Sequence, residues 1–212
     1  SWSDEMLTSS GLAAPVVLQV YSHMRADVVG GQYLDVLSQV SGVTTVDSAL
    51  RVAHWKAAKY TIERPLHLGA AIASAEPAVF AACSAYGLPL GVAFQLRDDV
   101  LGVFGDPSVT GKPAGDDLRE GKRTALVAMA LERATDAQES VVRRHLGDPD
   151  LDDAGVAALR EVLVDTGAVG RVEELITTRT AEALAALDTA PMTAEAVEVL
   201  RELATAATTR VH

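Results

Sequence analysis

Cysteine, aromatic residues and basic residues are all scarce in this sequence of 212 residues. Its one cysteine, Cys83, excludes an internal disulfide and predicts a reducing, cytoplasmic location. Aromatic residues make up 4%, and no long alternation of Val, Ile, Thr and Tyr occurs, which argues against a β-sandwich, a β-barrel and a base-stacking protein. Acidic residues outnumber basic ones, 29 to 18, and the net charge of −11 repels phosphate backbones and argues against nucleic-acid binding.

Residues 77–96 carry no charge, over a length that could cross a bilayer. Gly87 and Pro89 divide this stretch near its middle, and an acidic pair follows almost at once. We therefore predict no membrane span here. We expect two buried helices instead, over about 76–86 and 88–104, joined at Gly87–Pro89.

Helical periodicity dominates the rest of the chain. Hydrophobic residues make up 49%, and polar positions recur every three or four residues within Ala-, Val- and Leu-rich stretches. Because short loops with Gly or Pro separate these stretches, the pattern predicts one all-α bundle domain over 1–212. The other predicted helices cover 13–40, a stretch from a cap at Asp47 to a break before Pro65, 123–134, 136–146, 153–166 with Asp152 as its cap, 168–188 and 193–207.

A helix over 92–104 gathers polar side chains in one narrow sector. Gln95, Asp98 and Asp99 fall in this sector together with Gly102, opposite an apolar face. Two adjacent carboxylates beside a buried surface repel each other unless a cation or basic groups neutralise them. Mg²⁺ commonly binds one or two carboxylates together with substrate phosphates. The sector therefore indicates either a magnesium site or a pair of solvated surface acids.

Residues 105–123 differ sharply in composition from the helices around them. Four glycines, two prolines and a dense mixture of charges predict a structured loop. Within it, Lys112 and Lys122 each follow a glycine, which lets an anion approach closely, and lysine is a common phosphate ligand. The alternative for each is an exposed, solvated side chain. Because both lysines follow the acidic helix, we favour phosphate contacts.

Three segments stand in order along the chain: GQYLD at 31–35, KAAKY at 56–60 and FQLRDDVLGVFGDPSVTGKPAGDDLREGKRT at 94–124. The third resembles the second aspartate-rich region of the trans-prenyltransferases, the polyprenyl synthetases that make farnesyl, geranylgeranyl and longer diphosphates. The first resembles the GQ-x-x-D helix of that family, and the second resembles its Lys-Thr-Ala/Gly segment. The resemblance covers residues 30–125 or so, and the remaining helices agree only in kind.

This resemblance implies an all-α isoprenoid (prenyl) synthase bundle with a deep central cavity, in a homodimer. It implies a Mg²⁺-dependent, chain-elongating prenyltransferase that condenses isopentenyl diphosphate with an allylic diphosphate. A short-chain all-trans product such as geranylgeranyl diphosphate is the expected outcome. Metals and lysines would stabilise the leaving pyrophosphate, the isopentenyl double bond would attack the allylic cation, and a proton would then be lost.

The resemblance also implies roles for individual residues. Asp98 and Asp99 would hold Mg²⁺ bound to the allylic diphosphate. The other implied roles are contacts to the diphosphate or its metals for Lys56, Lys112 and Gln95, a place near the isopentenyl chain for Phe94, a place near the diphosphate end for Lys122, and places on the cavity wall for Gln32 and Asp35.

The sequence departs from the family pattern at three points. Gly102 replaces the third acid of the second motif, so one metal ligand is missing, and Ala57 replaces a threonine and removes its hydroxyl. The family's first aspartate-rich motif precedes its GQ motif, but the 30 residues before Gly31 contain no DDxxD. We therefore expect the C-terminal part of a prenyl synthase, incomplete at its N-terminus, with exposed apolar faces that promote association.

Two other functions remain open. A non-catalytic subunit that binds diphosphate and regulates a heteromeric prenyl synthase would explain the missing first motif, although the intact set around Asp98 and Asp99 disfavours it. A helical terpene cyclase would share the electrophilic chemistry, but it does not normally keep the GQ and TGK segments. A DDxxD upstream in the reading frame would distinguish the enzyme from the regulatory subunit.

Overall fold

The computed structural model describes residues 2–42, 45–106 and 115–209, and helices dominate these ranges. No β-strand occurs in them, which confirms the predicted all-α fold. The elements in chain order are α1 (Trp2–Ser9), α2 (Pro15–Ser41), α3 (Val46–Val52), a π-helical segment (Ala53–Glu63), α4 (Arg64–Ile72), α5 (Pro77–Phe104), α6 (Asp116–Arg119), α7 (Ala125–Leu131), α8 (Asp136–His145), α9 (Asp153–Asp165), α10 (Ala168–Ala186), a 3₁₀ turn (Leu187–Thr189) and α11 (Ala194–Thr208).

The helix α5 forms the centre of the described bundle. It runs without interruption over 28 residues, so the prediction of two helices joined at Gly87–Pro89 is wrong. A proline inside a helix costs roughly 3 kcal/mol. Burial of Tyr86 and Leu90, on either side of Pro89, compensates for that local cost. In the described ranges, α5 is the one helix long and apolar enough to cross a membrane, and its buried side chains belong to the apolar cores of the bundle.

Side-chain caps begin five of the described helices, α3, α7, α8, α9 and α11, with one departure from prediction. Asp152 caps α9 as predicted, and its carboxylate accepts a hydrogen bond from the Gly155 N–H at 2.8 Å. The cap of α3 is Thr45 and not the predicted Asp47. Thr45 and Ser48 each accept a hydrogen bond from the other's backbone N–H, at 3.1 and 2.9 Å, in a reciprocal capping box that Asp47 could not form.

The predicted break before Pro65 is also wrong. The π-helical segment continues directly into α4, and the Arg64 N–H donates to the Lys59 carbonyl across the wider turn. Pro65 stands in the first turn of α4, directly after the widened π-helical turn. A proline that looks like a terminator in the sequence therefore marks the change from π- to α-helix.

Two apolar cores hold α5 in place. The smaller one packs the N-terminal half of α5 against α10, the 3₁₀ turn and α11, where the Tyr86 hydroxyl donates to the Leu200 carbonyl at 2.7 Å. The larger one packs the C-terminal half of α5 against α7, α9 and α10. Buried side chains of the larger core include Leu96, Val100, Leu126, Leu159 and Val172.

A buried polar network fixes the end of the π-helical segment against α5. Glu63 is 3% exposed and accepts hydrogen bonds from the Ser84 hydroxyl at 2.7 Å and from the Lys59 ammonium at 3.1 Å. Burial works against its charge, but these hydrogen bonds and the positive charges of Lys59 and Arg64 outweigh burial and lower the pKa of the Glu63 carboxyl. Glu63 is therefore ionised inside the bundle at neutral pH.

His67 extends this network from α4 to α5 and α2. Its Nε2 lies 3.1 Å from the Phe80 carbonyl oxygen and its Nδ1 lies 3.3 Å from the Arg64 guanidinium. Because a carbonyl only accepts and a guanidinium only donates, Nε2 carries the proton. Arg64 in turn pairs with Asp27 of α2 at 2.7 Å. Burial lowers the pKa of His67 against the opposing charge of Glu63, so the ring is neutral in this network.

Helix α2 has an apolar face that the described residues leave exposed. Val29, Tyr33, Val36 and Val40 are exposed and recur at helical spacing along it. Contiguous exposed apolar surface favours association with another protein surface. This face agrees with the prediction of exposed apolar surface that promotes association.

Candidate active site

The polar sector of α5 borders a cavity of about 210 Å³. α5 forms one wall, α2 together with α3 and the π-helical segment forms a second, and the turn between α6 and α7 forms a third. The cavity is lined by Asp35, Lys56, Gln95, Asp98, Asp99 and Lys122, which sequence analysis assigned to the site. The other lining residues are Ala49, Val52, Ala53, Asp117, Arg123, Thr124 and Ala125.

Helix α5 presents an exposed and a buried carboxyl group side by side. Asp98 is exposed, whereas Asp99 is 6% exposed and accepts a hydrogen bond from the Gln95 side-chain amide at 2.8 Å. Burial raises the pKa of Asp99 to about 8; the Gln95 hydrogen bond acts against this rise, and the charges of Asp117 and Asp98 add to it. Asp99 therefore needs a nearby cation to be fully ionised at neutral pH.

Lys56 reaches the cavity from the π-helical segment. Its ammonium group pairs with the Asp35 carboxylate of α2 at 2.5 Å. Both side chains are partly exposed to the cavity, since Lys56 and Asp35 are among its lining residues. This ion pair brings together the GQ-x-x-D and lysine segments that the sequence places far apart along the chain.

Lys122 lies in the turn after α6 and is held by two carboxylates. Its ammonium group pairs with Asp117 and, at 3.0 Å, with Glu120. Burial opposes the charge of Lys122, but the hydrogen bonds to these two carboxylates outweigh it and raise the pKa of the lysine. Burial raises the pKa of Asp117, and the Lys122 ammonium acts in the opposite direction. The pair sets a positive and a negative charge at the edge of the cavity.

The side chain of Asp117 fills the space beside Gly102. A Cβ atom built at position 102 would overlap the Asp117 carboxylate. Gly102 is the position at which the family pattern has a third acid, and here the carboxylate of Asp117 lies in the space that a side chain at 102 would take. The glycine lets α6 bring Asp117 to the same cavity as Asp98 and Asp99.

Two of the eight described residues that were assigned from sequence do not line the cavity. Phe94 is half-buried on α5, and Gln32 is exposed on α2. Lys112 lies outside the described residues, so its contact with a diphosphate stays a prediction. The cavity therefore brings together six of the eight assigned residues that the structure describes.

Sequence analysis missed three polar residues that line the cavity. They are Asp117, Arg123 and Thr124. Thr124 also caps α7, because its hydroxyl accepts a hydrogen bond from the Val127 N–H at 3.4 Å. The spacing to Lys122 favours Asp117 over Asp116 as the motif position, with a structural N-cap as the alternative, and only the fold shows that Asp117 and Lys122 both line the cavity of the α5 carboxyl groups.

The donor set suits a hard cation that a phosphate ligand helps to bind. Among the described residues, no group of three His, Cys, Asp or Glu side chains could hold a metal ion by itself. Mg²⁺ commonly takes one or two carboxylates and completes its shell with water and phosphate oxygens. Asp98 and Asp99 offer such carboxylates, and the buried Asp99 is a group that a cation would ionise. These residues therefore fit Mg²⁺.

Comparisons with known sequences identify relatives. The sequence profile of the polyprenyl synthetase family matches residues 3–163. A geranylgeranyl diphosphate synthase of Mycobacterium tuberculosis is 43% identical over 111 residues, which are 52% of this chain and 31% of that protein. A geranylfarnesyl diphosphate synthase of Aeropyrum pernix is 34% identical over 158 residues, which are 73% of this chain and 47% of that protein. The chain thus spans about a third to a half of the length of these relatives.

Solved structures share the fold. A geranylgeranyl pyrophosphate synthase from Corynebacterium glutamicum, complexed with isoprenyl diphosphate and magnesium, matches with a TM-score of 0.95 and 43% identity, over 99% of this chain and 60% of that chain. A polyprenyl synthase from Caulobacter crescentus, complexed with calcium and isoprenyl diphosphate, matches with a TM-score of 0.85 and 28% identity, over 95% of this chain and 61% of that chain. The bundle has the prenyl synthase fold, and because the family profile also covers most of its length, the chain belongs to the polyprenyl synthetase family.

Proposed function

We propose that this chain is part of a chain-elongating prenyltransferase, which condenses isopentenyl diphosphate with an allylic diphosphate in a Mg²⁺-dependent reaction. The convergence of Lys56, Lys122, Asp98 and Asp99 on one cavity is the observation that carries the proposal. Two ammonium groups opposite two carboxyl groups suit a ligand that is itself a strongly charged anion and is bound together with a cation. A diphosphate with Mg²⁺ meets both requirements.

The residues of this chain would bind and neutralise the leaving diphosphate. In the reaction, the bond between the allylic carbon and the diphosphate oxygen breaks, the isopentenyl double bond forms a new carbon–carbon bond, and a proton is lost. Lys56 and Lys122 would donate hydrogen bonds to diphosphate oxygens, which gain charge as that bond breaks. Each ammonium group is already held at the cavity by a carboxylate, Asp35 or Asp117.

Further contacts complete the proposed site. Gln95 would orient the Asp99 carboxyl through its hydrogen bond and would contact the diphosphate or its metals. Lys112 would contribute a third ammonium group, Phe94 would lie beside the isopentenyl chain, and Gln32 would stand on the cavity wall. Apolar wall residues would keep water away from the reacting carbon.

Asp98 and Asp99 would hold the Mg²⁺. When bound, the ion would offset the negative charge of the diphosphate. Asp98 is exposed and open to such an ion, whereas Asp99 is buried and is ionised only at the cost of desolvation. The two carboxyl groups would therefore bind the metal with different free-energy costs.

Product class and assembly belong to the same proposal. Several relatives are geranylgeranyl or farnesyl diphosphate synthases, which supports a short-chain all-trans product such as geranylgeranyl diphosphate. We also propose one all-α domain over 1–212, the C-terminal part of a prenyl synthase, in a cytoplasmic homodimer. The exposed apolar face of α2 supports the association.

Isothermal titration with inorganic pyrophosphate and Mg²⁺ tests the site on the 212-residue chain. We expect binding that requires Mg²⁺ and that Asp98→Asn weakens by about tenfold or more, because a charge-assisted contact is worth about 1.5–3 kcal/mol. Asp136→Asn is the matched control, because Asp136 is an exposed acid on α8 outside the cavity. Equal binding by Asp98→Asn and the control would remove α5 from the site.

A prenyl-transfer assay then tests the reaction. It uses labelled isopentenyl diphosphate, an allylic diphosphate and Mg²⁺, and the length of the labelled product reports chain elongation. Turnover by the whole protein would support the proposal. Pyrophosphate binding without turnover would favour a diphosphate-binding regulatory subunit, and the absence of both would refute the proposed function.

A further inference from the structure

The π-helical segment that carries Lys56 lies against the backbone of α2 at Gly31. A Cβ atom at position 31 would lie 2.6 Å from the Lys56 Cα and 2.7 Å from the Trp55 carbonyl carbon. These are backbone atoms, so rotation of a side chain could not relieve the contact. The adjacent Gly30 has no atom within 4 Å of the corresponding position, so the close approach is specific to Gly31.

The opposite side of the segment is packed just as closely. α5 meets it at Gly91, where a Cβ atom would lie 2.7 Å from the Cβ of Ala58. Ala58 is fully buried between the two helices. Because protein interiors are close-packed, the segment has no room to retreat from α2 towards α5.

Helix α2 contacts Lys56 a second time, one turn further along. Asp35 stands four residues after Gly31 and therefore on the same face of the helix. Its carboxylate pairs with the Lys56 ammonium at 2.5 Å. Gly31 thus contacts the backbone of Lys56, and Asp35 holds the charged end, which faces the same cavity as Asp98 and Asp99.

We propose that Gly31 and Asp35 are positioning residues, through which α2 determines where the Lys56 ammonium meets a diphosphate. The proposal rests on the proposed function, since it concerns the same diphosphate site. In this role neither residue contacts the diphosphate, and both act through Lys56. The glycine of the GQ-x-x-D segment therefore contributes to the site because its missing side chain allows α2 to lie against the backbone of Lys56.

The expected effect follows from the distances. Ordinary van der Waals contact of a Cβ atom begins at 3.4 Å, and the contact with the Lys56 Cα would be 2.6 Å. A methyl group at position 31 must therefore move α2 or the segment by about 1 Å. Such a displacement weakens the charge-assisted contact of one ammonium group, and full loss of such a contact lowers affinity by about tenfold or more. We expect a loss of that size in diphosphate affinity.

The test compares two adjacent glycines by titration of the 212-residue chain with inorganic pyrophosphate and Mg²⁺. Gly31→Ala should bind pyrophosphate more weakly than the wild type, by about tenfold or more. Gly30→Ala, the matched control, should bind within about twofold of the wild type, since its methyl group meets no atom and alanine favours the helix. Thermal unfolding of both variants shows whether each is folded during the titration.

A double-mutant cycle with Lys56→Ala separates a positioning role of Gly31 from a merely structural one. In Lys56→Ala, the added Gly31→Ala change should weaken pyrophosphate binding no further, because the group that Gly31 positions is gone. An effect of general damage would appear in both backgrounds. Unchanged affinity of Gly31→Ala, or an equal loss in the Lys56→Ala background, would overturn the inference.

A further variant covers the case in which Gly31→Ala does not fold. Asp35→Asn adds no atom and removes only the charge that holds Lys56, so it takes the place of Gly31→Ala in the same cycle. A loss in pyrophosphate affinity that disappears in the Lys56→Ala background supports the inference, and unchanged affinity overturns it. A wild-type chain that binds no pyrophosphate would instead refute the proposed function, and this inference with it.

Discussion

Replacing Asp99 with asparagine should stabilise the protein while it removes a proposed metal ligand. Desolvation on α5 raises the pKa of the Asp99 carboxyl from 3.8 to about 8. Because the folded state then binds the proton more tightly than the unfolded state does, folding is penalised progressively as the pH rises between these two values. Asparagine keeps the size of the side chain and an oxygen that can accept the Gln95 hydrogen bond, and it is uncharged at every pH.

The size of the effect follows from the two pKa values. Each pH unit above the unfolded-state pKa costs about 1.4 kcal/mol while the folded state stays protonated. From 3.8 to pH 7 the penalty for Asp99 is about 4 kcal/mol. Relaxation and water penetration reduce it, so we expect Asp99→Asn to raise the free energy of unfolding by about 2–4 kcal/mol at pH 7 and by about 1 kcal/mol or less at pH 4.5.

Urea denaturation in the presence of EDTA measures this difference between pH 4.5 and 7.5. Asp98→Asn is the matched control. The carboxyl of Asp98 is exposed, so we expect this change to alter the free energy of unfolding by about 0.5 kcal/mol or less. With pyrophosphate and Mg²⁺ at about a hundred times Kd, the wild type should gain about 2.7 kcal/mol and Asp99→Asn should gain much less. Parallel stability curves for the wild type and Asp99→Asn across this pH range would refute the argument from burial.

Three further changes have defined outcomes. Burial lowers the pKa of His67, so the unfolded state takes up the proton first as the pH falls below 6.5. The wild type should therefore lose more stability towards pH 5 than His67→Asn in urea unfolding, by at most about 1.4 kcal/mol per pH unit. Lys122→Met leaves the carboxylate of Asp117 unpaired, and we expect a loss of about 1–2 kcal/mol in the same assay; no loss would make this pair a surface contact. Gly102→Ala should lower the free energy of unfolding by about 1–3 kcal/mol, because the added methyl group overlaps Asp117. Gly170→Ala, where no atom lies within 4 Å, is the control and should not lower it. Equal effects of the two changes would show that the space beside position 102 can adapt.

Much of the fold could be predicted from local patterns in the sequence. The helical class follows from the periodic spacing of Ala, Val and Leu, and the Asp152 cap follows from a single side chain. One predicted cap, Asp47, is wrong because Thr45 forms the capping box, and two other failed predictions concern Pro65 and Pro89, which local rules treat as helix breakers. Packing decided both cases: burial along α5 compensates for Pro89, and a π-helical segment leads into α4 at Pro65.

Local patterns in the sequence also predicted part of the candidate site. Asp98, Asp99 and Gln95 share one helix, so a spacing rule places them together without knowledge of the fold. Lys56 was found through the family resemblance and Lys122 through its glycine-containing loop after the acidic helix, and the structure brings both to the cavity of α5. Asp117 was not assigned to the site from sequence, because its place at the cavity depends on the missing side chain of Gly102, which no local pattern links to it.

The sequence by itself therefore determined the helical class, the family and the types of charged group that meet at the site. Only the tertiary structure decided that Asp98 is exposed and Asp99 buried, although the two are adjacent in the chain. The physical reason is that desolvation and close backbone contact depend on atoms brought from distant parts of the chain. The close contact of Gly31 with Lys56 has the same origin, because it forms only when α2 and the π-helical segment pack against each other.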